Sequence, residues 1–195
     1  MKRFEELITR RGREAASLLE RTCVSEARTI QLLAEAFVKS VRSGGKILVL
    51  GNGGSAADAQ HFAAEMVNRF LMERRPLPAI ALTTDTSILT SISNDYSFDL
   101  VFSRQVEALG REGDVLLAIS TSGSSPNVLK AIERANALSM TTAGMTGADC
   151  GKMAPLCDLC LSVPDTSTPR IQEVHHLILH LICEIVEIQI FSHGT

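Results

Sequence analysis

The sequence predicts a single α/β domain built on a doubly wound, five-stranded parallel sheet flanked by helices. Three observations predict it. Five short apolar runs recur along the 195 residues, helix-period segments separate them, and two of the runs end in loops of small or hydroxylated residues. Continuous apolar runs of this length suit strands covered on both faces, as parallel strands are. A hydrophobic content of 45% is enough to bury a core over one domain of this size.

Residues 3–42 place Phe4, Leu7, Ile8, Leu18, Leu19, Ile30, Leu33, Ala34, Phe37, Val38 and Val41 at helical spacing, which predicts two amphipathic helices. "SGG" at 43–45 stops the pattern, so 1–42 reads as an N-terminal helical arm and 43–195 as the α/β core. The strands follow at "KILVLG" (46–51), "PAIAL" (78–82), "DVLLAIS" (114–120), "MTTAGMT" (140–146) and "LCLSVP" (159–164). Helical patterns fill the intervals at 55–73, 86–93 with a second piece at 99–110, and 125–138, and a last helix runs over 169–191. In such a fold ligands bind at the carboxyl ends of the strands, so function is sought in the loops that follow them.

Composition narrows the classes. A net charge of −3 without a long Lys/Arg block speaks against a nucleic-acid partner and leaves small anions open. The charged start "MKRFEELITRRGREAASLLE" has no signal-peptide core, and "HLILHLICEIVEIQIF" is interrupted by His180, Glu184 and Glu187. A soluble, cytoplasmic protein with no membrane partner is expected. Five cysteines, an odd number, read as free thiols, and Cys157 with Cys160 makes only half of a zinc site.

Two loops attract attention. In "GNGGS" (51–55) the glycines let main-chain N–H groups approach a ligand, Ser55 can cap the next helix, and a helix N-terminus behind a small-residue loop is an anion site. In "STSGSSPN" (120–127) the hydroxyls of Ser120, Thr121, Ser122, Ser124 and Ser125 surround Gly123, and Pro126 opens a helix. The bland reading is a capped turn; at an equivalent strand end to the glycine loop, a phosphate cradle is the better one.

His61 and Glu65 lie four residues apart, on one face of the helix after the glycine loop. They suit a divalent metal or a general base with its orienting partner. The last helix adds "RIQEVHHLILH" (170–180), in which His176 and His180 form the better metal pair by spacing. Gln172 and His180 are separated by about 12 Å of helix rise, which asks for an irregular helix or for more than one subunit at the site.

"GNGGSAADAQHFAAE", "SNDYSF", "GREGDVLLAISTSGSSPNV" and "RIQEVHHLILH" together resemble the sugar isomerase (SIS) domain family, and within it the bacterial phosphoheptose (sedoheptulose 7-phosphate) isomerases, over nearly the whole chain. The resemblance implies an SIS domain whose N-terminal helices serve oligomerisation. It also implies an aldose–ketose isomerase that converts D-sedoheptulose 7-phosphate to D-glycero-D-manno-heptose 7-phosphate, towards ADP-heptose and lipopolysaccharide. Carried over residue by residue, it implies one Zn²⁺ per subunit on His61, Glu65, Gln172 and His180. It gives substrate contacts at Asn52, Gly53, Gly54, Ser55, Glu65, Asn94, Asp95, Ser120, Thr121, Ser122, Ser125 and Gln172, catalysis by Glu65 and His180, and a homotetramer with sites at subunit interfaces. An SIS regulator that binds the replication initiator DnaA is the alternative; it lacks the residues matching Glu65 and His180, and both are present here.

Overall fold

The structure is a computed structural model that describes residues 2–192. Helices α1 (Lys2–Ser25) and α2 (Ala27–Arg42) lead into β1 (Ile47–Gly51), α3 (Gly54–Val67) and β2 (Ala79–Ala81). Then come α4 (Thr86–Asp95), α5 (Ser103–Leu109), β3 (Val115–Ser120), α6 (Pro126–Ala137), β4 (Thr141–Thr146), β5 (Leu159–Ser162) and α7 (Thr168–Phe191). All strand pairs are parallel, in the order β2-β1-β3-β4-β5. The chain leaves β1 towards β2 on one side and leaves β3 towards β4 on the other, so the order reverses between β1 and β3. That reversal opens a crevice at their carboxyl ends.

Alternation within the strands divides the core in two. Ile47, Val49, Val115, Leu117 and Ile119 face α2, α3 and α7, while Leu48, Leu50, Leu116 and Ala118 face α5 and α6. Every residue of β1 and β3 is buried, which explains why these strands show no polar face in the sequence. In α2, Ile30, Leu33, Ala34, Phe37, Val38 and Val41 are all buried, so this helix is a layer of the core. Only α1 projects: Phe4 and Ile8 are 67% and 70% exposed, and burial begins with Leu18.

The structure departs from the sequence expectation at three places. Helix α3 stops at Val67, not at 73, because tertiary partners take over the backbone groups of the following loop. Pro76 and Pro78 also keep that loop extended. Ser55 is the second helical residue of α3, with Gly53 as N-cap, and so does not cap the helix. By length and composition α7 is long and apolar enough to cross a bilayer. Its place is set by packing: Ile171, Val174, Ile178, Leu179, Ile182 and Val186 are buried in the core against α2, α3 and the sheet. The continuous helix through Gln172 removes the first of the two explanations for the spacing of Gln172 and His180.

Candidate active site

Both loops at the reversal line one pocket of about 290 Å³: Asn52, Gly53, Gly54 and Ser55 from one side, and Ser120, Thr121, Ser122 and Ser125 from the other. Thr168 and Gln172 of α7 close it. Gly53 has φ +55°, which L side chains rarely adopt. A Cβ on Gly54 would run into the side chain of Gln172, so glycine is what lets α7 lie this close to the loop. The N-termini of α3 and α6 both point at the pocket, each adding partial positive charge.

The hydroxyls of the second loop are not spent on capping α6. Ser125 is the N-cap of α6 yet makes no side-chain cap bond; its Oγ lies 3.3 Å from Ser120 Oγ. Ser122 Oγ is 3.5 Å from Ser120 Oγ and accepts from Ser124 Oγ at 3.2 Å. These hydroxyls are turned towards one another around the pocket and can re-aim at the oxygens of a phosphate. Asn52 and Asn127 exchange two amide hydrogen bonds, each 2.9 Å, and so lock the two loops together. Neither Asn127 nor Thr168 was a sequence candidate; the "SSPN" motif contained the only available signal, a polar residue in the first turn of α6.

Farther along α3, His61 and Glu65 meet the facing side of α7. His61 Nε2 lies 2.7 Å from His180 Nε2 and 3.7 Å from Glu65 Oε1. His176 joins them: its ring stacks on that of His61 with centroids 4.5 Å apart, and ring nitrogens of His61, His176 and His180 all lie within 4.8 Å of one another. Asp58 Oδ1 accepts from His176 Nδ1 at 3.3 Å, which leaves Nε2 as the lone-pair donor, the usual carboxylate support of a metal-binding histidine. The other oxygen of Asp58 is buried without a partner, and burial raises its carboxyl pKa against the opposing pull of His176. Phe70 stacks on the far side of His180, centroids 5.2 Å apart. Burial, then the neighbouring His176 and His61, holds His180 below the usual histidine range.

The ring nitrogens are close enough together to share one ion, and imidazole with carboxylate is a suitable donor set for zinc. The residues therefore fit such an ion. Within one chain they are His61, His180 and His176, with Glu65 alongside; Gln172 sits instead against Gly54 in the phosphate pocket. Asn94 and Asp95 are exposed at the end of α4, bonded to each other at 2.8 Å, and do not line the pocket. His175, unassigned by sequence, is a core residue: its Nε2 donates to the Thr146 carbonyl at 3.0 Å, and burial lowers its pKa to about 4.

A pocket of glycines and hydroxyls at a strand-order reversal, beside a histidine–carboxylate cluster on the same helix pair, defines a domain that handles phosphorylated sugars. The chain matches the family model of the SIS domain over residues 12–147. It belongs to that family and, within it, to the phosphoheptose isomerases. It is 52% identical to the phosphoheptose isomerase of Desulfovibrio desulfuricans over 96% of this chain and 89% of the relative, and 61% identical to that of Rhodospirillum rubrum over 76% and 79%. The solved structure of the phosphoheptose isomerase of Neisseria gonorrhoeae superposes with a TM-score of 0.90 at 45% identity, covering 94% of this chain and 98% of that one.

Proposed function

We propose that this enzyme interconverts D-sedoheptulose 7-phosphate and D-glycero-D-manno-heptose 7-phosphate, an aldose–ketose isomerisation on the route to ADP-heptose. The observation that carries the reading is that α3 bears both halves of such a site, the pocket of glycines and hydroxyls at its start and His61 and Glu65, next to His180, farther along, for pairing across a subunit interface. One end of the substrate is gripped by its charge, and the other is left for chemistry.

The reaction moves a proton between C1 and C2 through a cis-enediol(ate). Glu65 is the base that takes the carbon-bound proton and returns it to the neighbouring carbon; His180 exchanges the proton of the sugar oxygens on the opposite side. Hydroxyls of Ser120, Thr121, Ser122 and Ser125 and the two helix N-termini hold the phosphate, which converts binding at a distance into orientation at C1 and C2. Zinc, held by His61, Glu65 and His180 with Gln172 or His176 as the further ligand, would polarise the carbonyl as a Lewis acid when bound.

Ser55 and Glu65 are separated by about 15 Å of helix rise, and Gln172 and His180 by about 12 Å, so one chain spreads the parts of the site widely. This supports a homotetramer in which the phosphate pocket of one subunit faces the acid–base cluster of another, with Asn94 and Asp95 brought in across the interface. A cytoplasmic location fits the phosphorylated substrate and the free thiols. The regulator alternative has no support in a site that keeps Glu65 and His180 together.

Turnover of sedoheptulose 7-phosphate by the purified protein tests the reading, before and after chelation and after zinc is restored. Formation of the aldose phosphate, lost on chelation and regained with zinc, is expected. A folded oligomer inert in all three conditions would refute it.

A further inference from the structure

We infer that Arg74 and Glu187, which lie outside the site described above, are positioning residues for its acid–base cluster. They form a salt bridge, Arg74 Nε to Glu187 Oε1 at 2.7 Å, with side chains 1% and 2% exposed. An ion pair this deeply buried is a poor source of stability in itself, so its hydrogen bonds are where a role has to be sought.

Those bonds go to two places. Glu187, near the end of α7, accepts the backbone N–H groups of Phe70, Leu71 and Met72 at 2.8, 2.8 and 2.9 Å. The carboxylate thereby fixes the loop that places the Phe70 ring against His180, about two turns back along the same helix. Arg74 donates Nη2 to the carbonyl of Glu65 itself at 2.8 Å and Nη1 to the carbonyl of Met66 at 2.9 Å. These are carbonyls of the last turn of α3, which a helix leaves without partners. The guanidinium thus ends α3 two residues after Glu65 and ties that end to α7. Two opposed helices contribute Glu65 and His180, and the Arg74–Glu187 knot is the bonded link between them on the side away from the phosphate pocket.

The kinetic part of the test rests on the isomerase reading; a spectroscopic part rests on geometry alone. In the full-length oligomer, Glu187→Gln should lower kcat per folded protein at least about tenfold, since small misplacements of reacting groups are costly. KM should stay within about threefold, because the phosphate pocket lies at the other end of α3. Phe70→Leu, which leaves the knot intact, should stay fully folded at the assay temperature and still lower kcat. In histidine-labelled protein the Cε1–H resonance of His180, displaced by the ring current of Phe70, should move in the same direction in both variants.

Wild-type kcat in the two variants, or a His180 resonance unmoved in Glu187→Gln, would overturn the inference. So would a Glu187→Gln protein whose activity falls only as its folded fraction falls, with the resonance in place. If Glu187→Gln does not fold, Arg74→Lys and Phe70→Leu decide by the same two readouts. A wild-type protein without isomerase activity overturns the functional reading instead, and the resonance alone then decides this one.

Discussion

In the proposed reaction Glu65 is the base: it is partly buried, 3.7 Å from His61, and its backbone is held by Arg74. Glu65→Gln keeps the shape and removes the base, so turnover should fall about 10²–10⁴-fold while circular dichroism and melting stay as in the wild type. Activity within a few-fold of wild type would take the proton-transfer role from it. At the phosphate end, Ser122→Ala removes one neutral donor to a dianion and should lower kcat/KM about 10–100-fold. The loss should be much smaller for a substrate without phosphate. Sequence reading found His61, Glu65 and His180 because i, i+4 spacing is a local property. It could not tell Gln172 from His176, because that choice depends on which turn of α7 faces which turn of α3. It missed Asn127 because its partner, Asn52, lies 75 positions away.

At the scale of elements, the strands were legible because burial on both faces leaves uninterrupted apolar runs, and β1 and β3 match the expected 46–51 and 114–120 to within a residue. The end of α3 was not legible. Residues 68–73 keep a helical pattern, yet Glu187, more than a hundred positions later, takes their N–H groups. Burial alone would raise the pKa of Glu187, but three backbone N–H groups and Arg74 outweigh it, so the folded value lies below the ordinary 4.5. A carboxyl depressed in this way stabilises the fold fully above about pH 4.5 and progressively less as the pH falls through its folded value. Between pH 5 and 3 the melting temperature of the wild type should therefore fall more steeply than that of Glu187→Gln, which starts lower and has no such charge to lose. Parallel curves would show that this carboxylate does not contribute to acid unfolding.

For the whole molecule, the sequence conveyed the order and number of layers, but not that α2 belongs to the core while α1 leaves it, because both helices have the same period. If the site is shared between subunits, two variants impaired in different halves of it should rescue each other. Co-assembled Glu65→Gln and Ser122→Ala subunits should recover a measurable part of wild-type turnover, since some interfaces then pair an intact cluster with an intact pocket. Mixed oligomers no more active than either parent would place each complete site within one chain. The position of α7 bears on how the protein is made. One of the two apolar clusters is closed by Ile171, Val174, Ile178, Leu179, Ile182 and Val186, all synthesised after every strand of the sheet. A nascent chain therefore emerges from the ribosome with one face of its sheet uncovered, a greasy surface that holdase chaperones recognise, and a ribosome stalled before residue 168 leaves a product that cannot hide it.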